Sequence, residues 1–313
     1  MPANEPNMRR MIPVLFALGL AKRVGLARPM MQLAVKRMLS PKSKAGSFAD
    51  YQPTEHDVFV ATFGKSGTNW MMQIAQQTAW LGHAEFEHIH DVVPWPDSPF
   101  PLPITPFDPS APDTPPTGRR VIKTHLDTRF VPYDERATYL TVLRDPKEVV
   151  VSAYFFLGGL FGILNHMSID EWHELFVGPG GMAESWAIHT AGFWAWRDRP
   201  NVLVLNYAEI IQGPVQSIDR VANTMGVKLD LAQRDEVVAR SSFSYMKEHE
   251  LQFAPPLLPF TTPEDRPKMV RKGKAGESDE MLNAMQQTEI DRVCREALAR
   301  IGSDFPYDEA FGT

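Results

Sequence analysis

The chain has one cysteine, Cys294, among 313 residues. An internal disulfide framework and a thiolate zinc cluster are therefore excluded, and a reducing compartment fits. The basic excess that marks a nucleic-acid-binding domain is also missing: the formal net charge is −6. No internal repeat is visible. Disorder over the whole chain is ruled out by a 43% hydrophobic fraction, which supplies enough apolar surface for a core. The length suits two domains or one large α/β domain.

Acidic residues are absent from residues 6–49, which carry nine basic ones: Arg9, Arg10, Lys22, Arg23, Arg28, Lys36, Arg37, Lys42 and Lys44. The rest of the chain then holds 23 basic against 38 acidic residues. The longest apolar run of this arm, MIPVLFALGLA at 11–21, is too short to span a bilayer, which takes about 20 residues. Arg9 and Arg10 before the run give it the form of a signal peptide, but Lys22 and Arg23 after it make a poor small-residue cleavage site. The expectation is an uncleaved basic amphipathic arm over 1–50, built from short helices broken near Pro29, ahead of a catalytic domain over 51–313. Two readings of the arm stay open. In one it lies on an anionic membrane face; in the other it packs on the domain with its lysines solvated.

Four short apolar runs read as strands. DVFVATF (57–63) is almost wholly apolar, as in a buried parallel strand; RRVIKTH (119–125), YLTVLRDP (139–146) and NVLVLNY (201–207) follow. Helical periodicity covers 68–81. A proline at a first helical turn opens 146–157, and further helical stretches lie around 168–199, 213–225 and 280–301. This alternation predicts a parallel sheet covered by helices. Residues 94–116 hold ten prolines, so neither a helix nor a central strand fits there, and a long stiffened surface loop is expected.

The sharpest local signal is FGKSGTNW (63–70), between a strand and a helix. Its glycines let backbone N–H groups face an anion, the helix N-terminus adds its positive end, and Lys65 adds a full charge. The triphosphatase signature G-x-x-x-x-G-K-[ST] would need glycine at position 59, which is Phe59. Taken alone, KSGT is as compatible with a plain glycine turn as with a phosphate site. Lys123 and His125 sit two apart on a strand, so both side chains leave the same face near its C-terminal end, where ligands bind in open α/β sheets.

Several ordered motifs carry a family resemblance over about residues 57–305. FGKSGTNW is similar to the YPKSGTTW 5′-phosphosulfate loop, and VIKTHL (121–126) to the KTHLP catalytic strand. RDPKEVVVSAYFF (144–156) resembles the 3′-phosphate motif RNPKDVVVSYYHF; SSFSYMKE (241–248) resembles TSFxxMK; RKGKAG (271–276) resembles RKGxxG. The chain thus resembles the cytosolic-type sulfotransferases that use 3′-phosphoadenosine 5′-phosphosulfate (PAPS). It departs from them at Gly64, Asn69 and Asp127-Thr128, and in lacking both the tryptophan after RKGxxGD and a recognisable dimerisation motif, which leaves the oligomeric state open.

The resemblance implies a single three-layer, P-loop-like α/β fold with a central parallel sheet, and PAPS as co-substrate without a metal. It places Lys65, Ser66, Gly67 and Thr68 on the 5′ end of the donor. Arg144, Ser152, Arg271, Lys272 and Gly273 go to the 3′-phosphate, where arginine's planar fork suits phosphate oxygens. Trp70 and Phe243 go against the adenine and Tyr207 near its edge, although Trp70 and Phe243 taken singly also read as core and Tyr207 as a strand cap through its hydroxyl. His125 would take the acceptor's proton, Lys65 would stabilise the leaving oxygen, and Lys123 would steady the sulfuryl oxygens. Ser152 would also restrain Lys65. His83, Glu85, Glu87, His88, His90 and Asp91 meet no recognised metal-ligand spacing.

Phe63, Phe86, Trp95, Phe155, Phe156, Met246 and Phe253 are candidates for an apolar acceptor wall, which suits a hydroxylated small molecule or lipid. The expected location is cytoplasmic, peripheral to the inner membrane face if the arm binds lipid. Two rivals remain at this stage: a kinase-like phosphotransferase, and a non-catalytic nucleotide-binding protein at a membrane surface.

Overall fold

A computed structural model describes residues 25–48, 51–99, 104–108, 115–255, 267, 276 and 278–312. Four parallel strands form the centre: β1 (Asp57–Ala61), β2 (Arg120–Thr124), β3 (Thr138–Leu143) and β4 (Val202–Asn206), in the order β2-β1-β3-β4. All four match apolar runs in the sequence, but β1 ends at Ala61, so Thr62 and Phe63 belong to the loop that follows. Successive residues of each strand serve opposite faces, as the two-residue strand period requires. Val58, Val60, Leu140 and Val142 enter one apolar cluster, while Phe59, Ala61, Ile122 and Tyr139 enter another.

Helices cover both faces. On one side lie α2 (Thr68–Ala79), α7 (Pro214–Thr224) and α8 (Leu231–Arg240), whose Met71, Ile74, Ile218, Val221 and Val237 join the cluster around Val58 and Val60. A further cluster gathers α3 (Pro146–Leu160), α4 (Ile169–Val177), α5 (Met182–Ala195) and α10 (Ala284–Arg300) around Val150, Trp172, Trp186 and Ile290. The short helices α6 (Tyr207–Gln212) and α9 (Phe243–Glu248) flank the edge that carries the strand C-termini, and α11 (Tyr307–Phe311) closes the chain. The 168–199 stretch divides into α4 and α5. Ser168 caps α4 through a capping box with Glu171.

The stretch 25–48 contains α1 (Ala27–Leu39), with Pro29 in its first turn, where a missing N–H is tolerated. Met31 and Val35 are buried in the same cluster as Trp172 and Ile290. Arg28 pairs with Glu174, and Lys44 lies 3.5 Å from Asp127. Residues 1–24, which hold the apolar run and the first four arm cations, lie outside the described residues.

In the proline-rich segment, Val93, Pro94 and Trp95 are buried rather than running over the surface. The Lys123 backbone N–H donates to the Pro94 carbonyl at 2.9 Å, which fastens this segment along β2.

Candidate active site

The order β2-β1-β3-β4 puts the C-terminal ends of β1, β2 and β3 side by side, and each delivers one part of the site. After β1 comes the anion loop. Lys65 holds a left-handed backbone (φ 70°), and so does Gly67 (φ 97°), which opens α2. A Cβ at Gly67 would stand 2.9 Å from the Tyr207 ring, so glycine serves both the turn and the close approach. The first N–H groups of α2 have no intrahelical acceptor and point out of its N-terminus. The Ser66 hydroxyl beside them is buried and has no partner among the described residues. Such a cradle fits the phosphosulfate end of PAPS. Thr68 is anchored below through its hydroxyl, 2.6 Å from that of Thr62.

After β3 comes Arg144. One guanidinium nitrogen donates to the Lys65 carbonyl at 2.9 Å and another to Glu148 at 3.2 Å; the guanidinium carbon lies 4.4 Å from the Tyr207 ring centre. This arginine therefore holds the anion loop in its left-handed turn from below. Glu148 answers a second demand: its other oxygen accepts from the Gly276 N–H (3.0 Å), the Ser278 N–H (2.9 Å) and the Ser278 hydroxyl (3.0 Å). The chain next to the RKGKAG motif is thereby tied to Arg144. Arg271, Lys272 and Gly273 lie outside the described residues. Ser152 stands one turn beyond Glu148 on α3 and is partly buried.

At the end of β2 stand the two groups predicted from its alternation, Lys123 within the strand and His125 one residue past it. The His125 Nδ1 lies 2.8 Å from the Thr62 carbonyl. A carbonyl only accepts, so Nδ1 carries the hydrogen and Nε2 keeps its lone pair. Burial first, and then the neighbouring Lys123, push the imidazole pKa well below its ordinary value, which keeps the ring neutral. The His125 N–H donates to Asp97 at 2.8 Å. Burial raises the Asp97 carboxyl above the usual range. Lys123 is buried, and burial lowers its pKa to about 7, with Asp97 opposing and Lys65 adding to the effect. Its Nζ sits 3.4 Å from the Trp95 ring centre, while the Lys65 Nζ sits 4.0 Å from that of Phe156.

Trp70 and Tyr207 pack together beside the loop, and Phe243 lies on α9. Trp70 donates its indole N–H to the Ser241 carbonyl at 2.8 Å and meets Tyr207 edge-on at 5.7 Å between ring centres. Phe243 is 38% exposed on α9, an unusual state for a large aromatic and one suited to stacking. Among the acceptor candidates, Trp95 meets His125 edge-on at 5.1 Å and Phe63 meets His189 at 5.9 Å. Met246 and Phe253 are buried in the cluster under α2, with Phe86 packed on Phe253.

Sequence reasoning passed over Glu148 and Asp97. The only hint of Glu148 was its i,i+4 spacing from Arg144; Asp97 gave none, since it acts through a strand 28 residues away. Asp127, at the position where the resembled motif has proline, is buried between Arg129 (2.7 Å) and Lys44 (3.5 Å). His88 caps the helical turn Ile89–Val92 in a capping box with Asp91. Among the described residues no three His, Cys, Asp or Glu side chains gather as metal ligands would.

Comparison with known proteins agrees with this geometry. The family model for the sulfotransferase domain matches residues 55–302. Human sulfotransferase 1C2 is 26% identical over 82% of this chain and 87% of its own length. Human sulfotransferase 2A1 is 27% identical over 81% of this chain and 88% of its own length. A crystal structure of retinol dehydratase with androsterone and the inactive cofactor PAP superposes with a TM-score of 0.66 at 18% identity, covering 87% of this chain and 88% of the other. The ordered sequence motifs, the parallel sheet that brings the loop after β1, the end of β2 and Arg144 to one edge, and the family match agree, and the chain belongs to the sulfotransferase family.

Proposed function

We propose that the protein transfers the sulfuryl group of PAPS to a hydroxyl of an apolar small or lipid-like acceptor, giving a sulfate ester and PAP. The observation that carries this is His125 with its Nδ1 held by the Thr62 carbonyl, so that Nε2 keeps its lone pair, and with Lys123 and Lys65 near enough to help lower its pKa. As the acceptor oxygen forms its bond to sulfur, the bond from sulfur to the bridging oxygen breaks, and His125 Nε2 takes the acceptor's proton. Lys65 faces the charge growing on the bridging oxygen, and Lys123 faces the sulfuryl oxygens. Ser66, Gly67 and Thr68 hold the 5′-phosphate. Arg144, Ser152 and the Arg271-Lys272-Gly273 loop hold the 3′-phosphate, while Trp70, Phe243 and Tyr207 hold the adenine.

Trp95 at His125 and Phe156 at Lys65 give the acceptor site apolar walls. The retinol dehydratase complex with androsterone makes sterols and retinoid-like alcohols the first acceptors to test on this chain. The test is incubation with sulfur-labelled PAPS and a panel of phenols, sterols and glycolipids. Label appearing in an acceptor supports the reading. Transfer from ATP with magnesium, and none from PAPS, would replace it with the phosphotransferase.

The location proposed is cytoplasmic, with the basic arm 1–50 preceding the catalytic domain 51–313 and touching the inner membrane face. Nine cations without an acid support the contact; two of them, Arg28 and Lys44, are engaged with Glu174 and Asp127 on the domain, and each of the others contributes about 1 kcal/mol near an anionic surface. Among the described residues no helix is long and apolar enough to cross a membrane. Flotation with acidic liposomes at low and high salt is the test; no binding at low salt refutes it.

A further inference from the structure

The helical turn Ile89–Val92 brings a histidine to the catalytic strand. His90 is buried, and its Nδ1 lies 3.0 Å from the Val93 carbonyl. The carbonyl accepts, so Nδ1 carries the hydrogen and the Nε2 lone pair is free to receive one. That Nε2 stands 3.4 Å from the Lys123 Nζ. The His90 ring stacks on Trp95 at 5.7 Å and 20°, and the same Trp95 face receives the ammonium. Together with the Lys123 N–H on the Pro94 carbonyl, one short segment grips this lysine at its backbone and twice at its charge. The remaining ionisable groups around it are Asp97 on the segment beyond the turn, Lys65 on the anion loop and His125 just past the end of β2; His88 adjoins His90.

We propose that His90 is a positioning residue for Lys123, accepting one of its three ammonium hydrogens so that the others face the sulfuryl oxygens. This rests on the reading of Lys123 as a catalytic group. A neutral acceptor suits the task. A carboxylate at this place would cancel the charge that the transition state needs, whereas an imidazole lone pair aims the ammonium and leaves its charge intact. Burial first, and then Lys123, push the His90 pKa down to about 2, so it stays an acceptor across the working range.

The experiment compares His90→Phe, which keeps a flat ring on Trp95 but removes the lone pair, with His90→Gln, whose side-chain oxygen can accept. Turnover is measured from pH 6 to 10 at saturating PAPS with a phenol acceptor, beside PAP affinity and thermal melting. His90→Phe should lose about tenfold in turnover at pH 7, the low end for a hydrogen bond to a charged group. Its alkaline limb should move to lower pH by about one unit, since the charged lysine loses its acceptor. PAP affinity should change by less than about threefold, and His90→Gln should regain most of the rate and the limb. An unmoved limb, or a His90→Gln no better than His90→Phe, overturns the proposal. Should His90→Phe melt too low to assay, His90→Leu carries the same prediction. Lys123→Met separates the two readings. If it keeps wild-type turnover, the role of Lys123 fails; if it is inactive while His90→Phe has the wild-type profile, only the role of His90 fails.

Discussion

Replacing Arg144 with methionine tests whether the anion loop is held from beneath. The arginine and Glu148 side chains are 9% and 6% exposed, so their pair is shielded from solvent. Arg144→Met removes the donor to the Lys65 carbonyl and leaves the Glu148 oxygen that faced it without its cation. Breaking one side of a buried pair costs about 3–5 kcal/mol, because the remaining charge is left uncompensated. At about 2–4 °C per kcal/mol for a domain somewhat smaller than this one, the melting temperature should fall by roughly 6–20 °C. The double variant Arg144→Met/Glu148→Gln should recover much of that loss. The glutamine oxygen still accepts from Gly276 and Ser278, and no charge is stranded. PAP affinity should stay low in both, since neither restores the donor to Lys65. Differential scanning calorimetry with and without PAP reads both quantities. A fall below about 2 °C in the single variant, or a double variant less stable than the single, would refute the reasoning.

His125→Ala should leave PAP affinity within about twofold while turnover falls by about 100-fold or more; equal turnover with a weakly acidic alcohol would remove it as the base. Gly67→Ala combines a left-handed φ with a Cβ 2.9 Å from Tyr207, whose ring is confined by Arg144 and Trp70. Its strain and overpacking together cost about 2–4 kcal/mol, so titration calorimetry should show PAP binding weakened at least about tenfold, and a dissociation constant within about twofold of wild type counts against a fixed loop. Burial holds Lys123 near pH 7, below its unfolded value, so above that pH the free enzyme has lost this proton; an incoming anion favours the charged form and raises the pKa again. PAPS binding at pH 8 should therefore take up about half a proton or more, and its affinity should fall as pH rises. Calorimetry in buffers of different ionisation enthalpy measures the uptake, and none at pH 8 would place Lys123 away from the donor.

The sheet was legible because each buried parallel strand is a short apolar run stopped by polar residues, whereas Lys65-Ser66-Gly67-Thr68, which alone also reads as a glycine turn, was read as an anion loop only through the other motifs that follow it in order. Helix α8 was missed for the converse reason: Val237 is its only fully buried residue, so little apolar periodicity is written into it. Placement was legible where it follows from a residue's own strand, as with Lys123 and His125 two apart at the end of β2. The site was opaque where the role comes from a neighbour brought in by folding. Thr62 sets the His125 tautomer across 63 positions, and Glu148 holds the Ser278 backbone across 130. Proline density at 94–116 predicted the absence of regular structure there. It carried no sign that Trp95 and Asp97 would be drawn against β2 and His125, since proline fixes backbone angles and says nothing of what the side chains meet.

The electrostatics of the three strand ends make the proposed steps depend on one another. Without the donor, burial and the two lysines hold His125 far below the pKa at which it would be an effective base. The donor brings negative charge to those same lysines, and on the proposed roles this offsets their repulsion of an imidazolium, so the basicity of His125 rises when PAPS is bound. A base tuned in this way draws a proton from the acceptor only beside a loaded sulfuryl group. Lys123, on its proposed role, follows the same rule with the opposite starting charge: partly neutral in the free site near pH 7, it gains its proton as the anion arrives. Both changes require the lysines to stay close to His125 while no anion is present, and the contacts to Phe156 and Trp95 supply that hold without cancelling either charge.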